Sequence, residues 1–126
     1  KAGDKIILDL KMEVKVYEAN ARVIGLCGRA AITRGPLVYC AEAVDNLYEL
    51  RDARIARGAD YKIVQERIAD TEIPVIVTEA TVREETETLY CDKPVSRHRV
   101  PLKLIPYFAR ANRGVTEMTT WFLLEE

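Results

Sequence analysis

"EIPVIVTEATVRE", residues Glu72–Glu84, decides the fold class of this chain. Val75, Ile76, Val77, Thr78, Thr81 and Val82 are all β-branched. Such side chains lose little rotamer freedom on a pleated surface and more in a helix, so the run reads as a strand. Upstream, "YKIVQERI" (Tyr61–Ile68) carries Tyr61, Ile63 and Val64 and reads as another strand. Downstream, "VPLKLIPYFARANRG" (Val100–Gly114) sets Val100, Leu102 and Leu104 on one face against Lys103, Ile105 and Tyr107 on the other. Pro101 and Pro106 favour edge or bulged positions there, because proline has no ladder donor. "LYCDKPVSRHRV" (Leu89–Val100) between them reads as a loop or edge. "EMTTWFLLEE" (Glu117–Glu126) reads as a closing strand carrying Met118, Trp121 and Leu123.

The N-terminal half has the same character. "KIILDLKMEVKVYEA" (Lys5–Ala19) alternates Ile6, Leu8 and Leu10 with Ile7, Asp9 and Lys11. It then alternates Met12, Val14 and Val16 with Glu13, Lys15 and Glu18, so the whole run is expected to be strand with one buried face. In "ARVIGLCGRAAITRGPLVYCAEAV" (Ala21–Val44), Gly25 and Gly28 suit bends. Gly35-Pro36 suits a reversal between strands at Ala30–Thr33 and Leu37–Ala43. "DNLYELRDARIARGAD" (Asp45–Asp60) is the one segment that reads as a helix, and a short one. Asn46 and Glu49 have capping-box spacing there, and Leu47 and Leu50 supply an apolar contact. Roughly eight short strands with one short helix predict an all-β domain, an antiparallel β-sandwich of jelly-roll-like form.

The totals bound the function. With 126 residues, the chain is expected to form one domain over 1–126. Nineteen basic and twenty acidic residues leave a formal charge of -1. That balance predicts no nucleic acid and no anionic membrane as partner. Three cysteines cannot all pair within the chain, so no closed disulfide framework is implied. No apolar run approaches the roughly 18 residues of a membrane span. The chain opens "KAGDKIILDL", without methionine, and is expected to be a piece cut from a longer protein.

Candidate chemistry is sparse. Cys27, Cys40, Cys91 and His98 are the soft-metal ligand types, and they show no C-x-x-C pair and no zinc-finger spacing. Cys40 is expected to be a small apolar core residue, with Cys27 and Cys91 as loop or partly buried thiols. His98, between two arginines in "SRHRV", reads as a solvated loop histidine. Glu42, Asp45, Glu66, Glu79 and Glu117 are formally eligible for glycoside hydrolysis, which needs two carboxylates converging on one cleft. Among twenty acidic residues, eligibility distinguishes none of them. No phosphate-binding glycine loop, nucleophile elbow or H-E-x-x-H appears. Tyr107, Phe108 and Trp121 would stack on a sugar if exposed; their plainer role is core packing of the terminal strands. "NRG" (Asn112–Gly114) reads as a hairpin turn.

Two blocks carry a family resemblance. "RGPLVYCAEAVDN" (Arg34–Asn46) resembles a segment downstream of the catalytic domain in bacterial β-L-arabinofuranosidases of glycoside hydrolase family 127. "IPYFARANRGVTEMTTWF" (Ile105–Phe122) resembles that family's I-P-Y-Y-A-W, N-R-G, E-M-x-V-W pattern, with Arg110 where tryptophan is usual. The resemblance implies the C-terminal β-sandwich of a longer glycoside hydrolase. In that family a helical (α/α)-barrel carries catalysis with a zinc-bound cysteine nucleophile and glutamates, and the β-domains pack against it. The adjacent cysteines of the catalytic motif do not occur here, so no catalytic, cofactor or metal residue is carried over. The implied role is accessory: support of the catalytic barrel, and of dimerisation with a second copy. The alternative is a carbohydrate-binding module built on Tyr107, Phe108 and Trp121.

Overall fold

The computed structural model describes residues 3–125. It is all-β, with nine strands: β1 (Val14–Glu18), β2 (Arg29–Arg34), β3 (Leu37–Glu42), β4 (Arg54–Ala56), β5 (Lys62–Ile68), β6 (Thr71–Arg83), β7 (Arg97–Pro106), β8 (Met118–Thr119) and β9 (Phe122–Glu125). The β-branched run becomes β6, the longest of them. Its first half pairs with β5 (Lys62↔Val77 to Ile68↔Thr71), its second half touches β4 (Arg54↔Thr81), and its other edge carries β7 (Ile76↔Leu104 to Arg83↔Arg97).

The sandwich expectation is corrected by closure. The strand neighbours β2, β9, β4, β6, β7 and β3 return to β2, so six strands form a closed barrel. The corner lies in the β2–β3 hairpin. Those strands pair only beside the turn, at Arg34↔Leu37 and Thr33↔Val38. β3 then leaves for β7 (Tyr39↔Pro106, Cys40↔Ile105), while the start of β2 takes β9 (Ala30↔Phe122). A barrel and a sandwich need the same alternation of inward and outward residues, so periodicity does not separate them. The turn itself is the Gly35-Pro36 pair, with Gly35 at φ +55, a backbone conformation open to glycine at little cost. A Cβ at Gly35 would also meet Met12 Sδ at 2.5 Å.

Two clusters hold the fold. The barrel interior is filled from every wall strand, by Ile32, Tyr39, Ile55, Ile76, Leu104 and Phe122 among others. On the outer face of the same wall, Cys40, Ile68, Ile73, Val75, Ile105 and Ala109 form a second cluster. Tyr39 and Ala41 point inward and Cys40 outward, as strand alternation requires. The segment after β7 folds over this outer face and seals it with Ala109 and Met118. From Tyr39 to Glu42, β3 is therefore buried on both sides.

Two further expectations are corrected. The short helix expected within 45–60 is one 3₁₀ turn at Leu50–Asp52, capped by the Glu49 side chain accepting from the Arg51 amide. Asn46 forms no capping box; its side chain has another use, described below. The first half of the N-terminal alternation forms no ladder: β1 starts at Val14, and Ile6, Ile7, Leu8 and Leu10 are solvent-exposed.

Candidate functional site

The densest polar chemistry lies where the two signature blocks meet. β3 ends at Glu42, and the next residues carry Asp45 and Asn46 against β7. The segment after β7 returns with Ala111 and Arg113. Arg113 donates Nη1 to Asp45 Oδ1 at 2.7 Å and Nη2 to Asp45 Oδ2 at 2.5 Å, a bidentate pair. The same Nη2 donates to Glu42 Oε2 at 2.7 Å. Glu42 also accepts from the Ala111 amide, 2.6 Å from Oε1, and is 2% exposed. Ala111 reaches it in the left-handed region, at φ 59. Lys103 on β7 bridges Asp45 at 3.1 Å and Glu66 of β5. We call this network the clasp.

Asn46 completes the clasp. Its Nδ2 donates to the carbonyls of Glu42 (2.9 Å) and Lys103 (3.0 Å), and its Oδ1 accepts from the Lys103 amide at 2.9 Å. The carboxamide thus stands in for a strand residue on the edge of β7 beyond the point where β3 pairs. Tyr48 extends the substitution, its hydroxyl donating to the Pro101 carbonyl at 3.0 Å. On that edge of β7, Ile105 meets Cys40, Lys103 meets Asn46, and Pro101 meets Tyr48. Pro101 is tolerated inside the barrel wall because no backbone strand sits opposite it there to need its missing N–H.

In this network charge pairing outweighs burial, although one buried donor, Arg113 Nε, has no hydrogen-bond partner among the described residues. Burial alone would raise the Asp45 carboxyl, but hydrogen bonds and charge from Arg113 and Lys103 outweigh it and hold it below its ordinary value. Burial would lower Lys103, yet Glu66 and Asp45 raise it. Arg113 is raised by its hydrogen bonds to Asp45 and Glu42 against the opposing effect of burial. Burial, with the nearby Glu42 charge, pushes the Cys40 thiol up to about 11. A thiol held protonated at neutral pH is a poor nucleophile.

Of the five eligible carboxylates, the structure brings Glu42, Asp45 and Glu66 into the clasp, each tied to Arg113 or Lys103. Glu79 pairs instead with Arg99 and Glu117 with Arg51, both at exposed sites. His98 is exposed on β7 opposite Val82, a strand rather than a loop position. Cys40 pairs with Ile105, seven positions along the strand from His98, roughly 23 Å at strand rise. All three cysteines are free; Cys40 is buried, and Cys27 and Cys91 are exposed. Among the described residues, no three His, Cys, Asp or Glu side chains converge as a metal site.

A second charged cluster pins the barrel at its other end. Asp52 accepts from the Arg83 amide (2.6 Å) and Arg83 Nε (2.8 Å), and Arg97 Nη2 donates to the Asp52 carbonyl at 2.8 Å. Burial would raise the Asp52 carboxyl; the Arg83 amide and the charges of Arg97 and Arg83 prevail and lower it.

The three aromatics take different places. Tyr107 and Phe108 form a 3₁₀ turn after β7 and are 40% and 64% exposed, so neither serves the core. The Arg110 guanidinium lies over the Tyr107 ring, 4.7 Å from its centroid. Trp121 is half-buried in the break between β8 and β9, its carbonyl held by Arg29 at 3.2 Å. A groove of about 600 Å³ lies elsewhere, at the seam where β6 changes partner from β5 to β4, and is lined by Arg54, Lys62, Thr78, Glu79 and Arg99. None of the three aromatics lines it. Nothing in the sequence reading singles out Arg113, since "NRG" reads as a turn; one basic residue there against two acidic ones in the other signature block is the signal that could have found it.

Comparison with known proteins agrees with the two blocks. Residues 14–123 match the family model described as the glycoside hydrolase family 127 C-terminal domain. The chain is 38% identical over 129 residues to a non-reducing end beta-L-arabinofuranosidase from Bifidobacterium longum subsp. longum, covering 93% of this chain and 19% of that protein. A crystal structure of a GH127 beta-L-arabinofuranosidase from Geobacillus stearothermophilus T6 superposes with a TM-score of 0.85 at 32% identity, over 90% of this chain and 18% of that one. A second GH127 beta-arabinofuranosidase gives a TM-score of 0.78 at 30% identity, over 90% and 17%. The chain thus spans about a fifth of the length of the relatives it matches.

Proposed function

Because this chain belongs to the glycoside hydrolase family 127 C-terminal domains, we propose that it is a non-catalytic accessory module of a longer β-L-arabinofuranosidase-like enzyme. Its work is to support the catalytic helical barrel, and contact between copies. The observation that carries this reading is the clasp. The two signature blocks set Glu42 and Asp45 against Arg113, so the acids of the first block that look catalytic are engaged in ion pairs. The zinc of the parent family would then be held outside this chain.

The test is truncation. Removing 14–123 from the longer enzyme is expected to lower its thermal midpoint by several degrees, as loss of a stabilising contact of a few kcal/mol does. The chain alone is expected to leave aryl β-L-arabinofuranosides intact. Turnover by the chain alone would sink the proposal.

Exposure of Tyr107 and Phe108 favours one second reading, a carbohydrate-binding module. Calorimetric titration with arabinose oligomers checks it: binding that is lost in Phe108→Ala supports it, and flat isotherms reject it.

A further inference from the structure

One run of exposed apolar side chains among the described residues is not on the barrel. Ile6, Ile7, Leu8 and Leu10 are 68 to 92% exposed within five residues. Four large apolar side chains in water at one place are costly, and such a patch marks a contact. Their spacing is that of a strand: Ile6, Leu8 and Leu10 share one side, and Ile7 shares the other with Asp9 and Lys11. Yet among the described residues no ladder reaches them. The β1–β2 pairing stops at Val14↔Arg34, and the Gly35 amide extends it only to the Glu13 carbonyl, at 3.0 Å.

The family comparison draws the same boundary. The C-terminal domain model begins at residue 14, where the barrel's ladder begins. The likeness to the Bifidobacterium enzyme covers 93% of the chain, too much to fit within 14–126, so it runs back into this N-terminal segment, residues 5–11, here called the strap. About four-fifths of that relative lies outside the matched stretch.

We propose that residues 5–11 are a β-strand added to the sheet edge of a neighbouring module in the same polypeptide, with Ile6, Leu8 and Leu10 facing that module's apolar core. This rests on the accessory reading and gives it a docking element. Main-chain hydrogen bonds to an open edge would supply register, and the alternate side chains would supply burial. The junction at Met12–Glu13 is then short and anchored. Met12 is half-buried against the Gly35 turn, so the strap would fix the orientation of the barrel rather than tether it loosely.

Backbone amide exchange in this chain and in the longer polypeptide tests the proposal. In the chain alone, residues 6–11 are expected to exchange at close to unfolded rates. In the longer polypeptide they are expected to slow by about 100-fold or more, as ladder amides do. Leu8→Lys should abolish that slowing in the longer protein and leave the midpoint of the chain alone unchanged. Fast exchange in both contexts overturns the strand. So does slow exchange in the chain alone that rises with concentration alongside a dimer, which would assign the strap to a second copy. If exchange is fast yet truncation of 14–123 still lowers the enzyme's midpoint, the strand fails and the accessory reading stands. If the strap is protected while the chain alone turns over substrate, the accessory reading fails and the strand stands.

Discussion

The second signature block, Ile105–Phe122, builds two places of opposite character. At Arg113 it makes a clasp crowded with acids and bases, half-buried and with Glu42 at its closed end. At Tyr107 and Phe108 it makes a turn with two exposed rings and no acid. Residues that look catalytic are there satisfied by partners, and residues that look inert are the ones available. Function on this surface therefore has to be argued from accessibility. Each prediction below asks whether the clasp is structure and the aromatic turn is surface.

Arg113→Ala should have the largest effect. It strips the bidentate partner from Asp45 and one partner from Glu42, which is 2% exposed. Breaking a buried pair by removing one member costs about 3–5 kcal/mol, because the other charge stays buried. Denaturant unfolding measures it. Asn46→Ala comes next, since it orphans two carbonyls and one amide at the β3–β7 closure. At about 1–3 kcal/mol for an unsatisfied buried group, and with water able to reach part of the edge, a total near 2–4 kcal/mol is expected.

Acid should loosen the clasp and the Asp52 cluster. Asp45 and Asp52 are lowered in the folded state. Their contribution is therefore present above the unfolded value of about 3.9 and lost as pH falls through their lower folded values. Lys103 is raised, so its contribution is full below its unfolded value of about 10.4 and lost as pH rises through the higher folded one. The thermal midpoint should be flat between these limits and fall below about pH 4, with a smaller acid loss in Asp45→Asn. Phe108→Ala should do least, within about 0.5 kcal/mol, as expected at an exposed site. A loss of 2 kcal/mol or more there would mean the ring is structural and the comparison is wrong.

Much of the fold is legible in the sequence, and its closure is not. The β-branched run of β6, the Gly35-Pro36 turn and the doubly buried β3 follow from local sterics and alternation. The barrel does not, because it depends on β9 inserting between β2 and β4, a long-range choice that no period encodes. The helix expected over 45–60 fails for a tertiary reason. Asn46 and Tyr48 are engaged along the edge of β7, which holds their backbone away from a helical path. The N-terminal alternation is right about conformation and silent about partner, so Met12, Val14 and Val16 become half-buried beside the barrel while Ile6, Leu8 and Leu10 stay exposed. In the clasp, Glu42 and Asp45 are conspicuous in sequence. Their neutralisation by Arg113, some seventy residues away, appears only in three dimensions.

The central claim is that the acids of the clasp serve the fold and not a reaction. Glu42→Gln in the longer enzyme tests it most directly, with initial rates taken well below the thermal midpoint. A lowered midpoint and a kcat/KM within about twofold of the parent's are expected. A fall in kcat of about 10²–10⁴, the range for loss of an acid–base catalyst, with the midpoint unchanged, would contradict that claim.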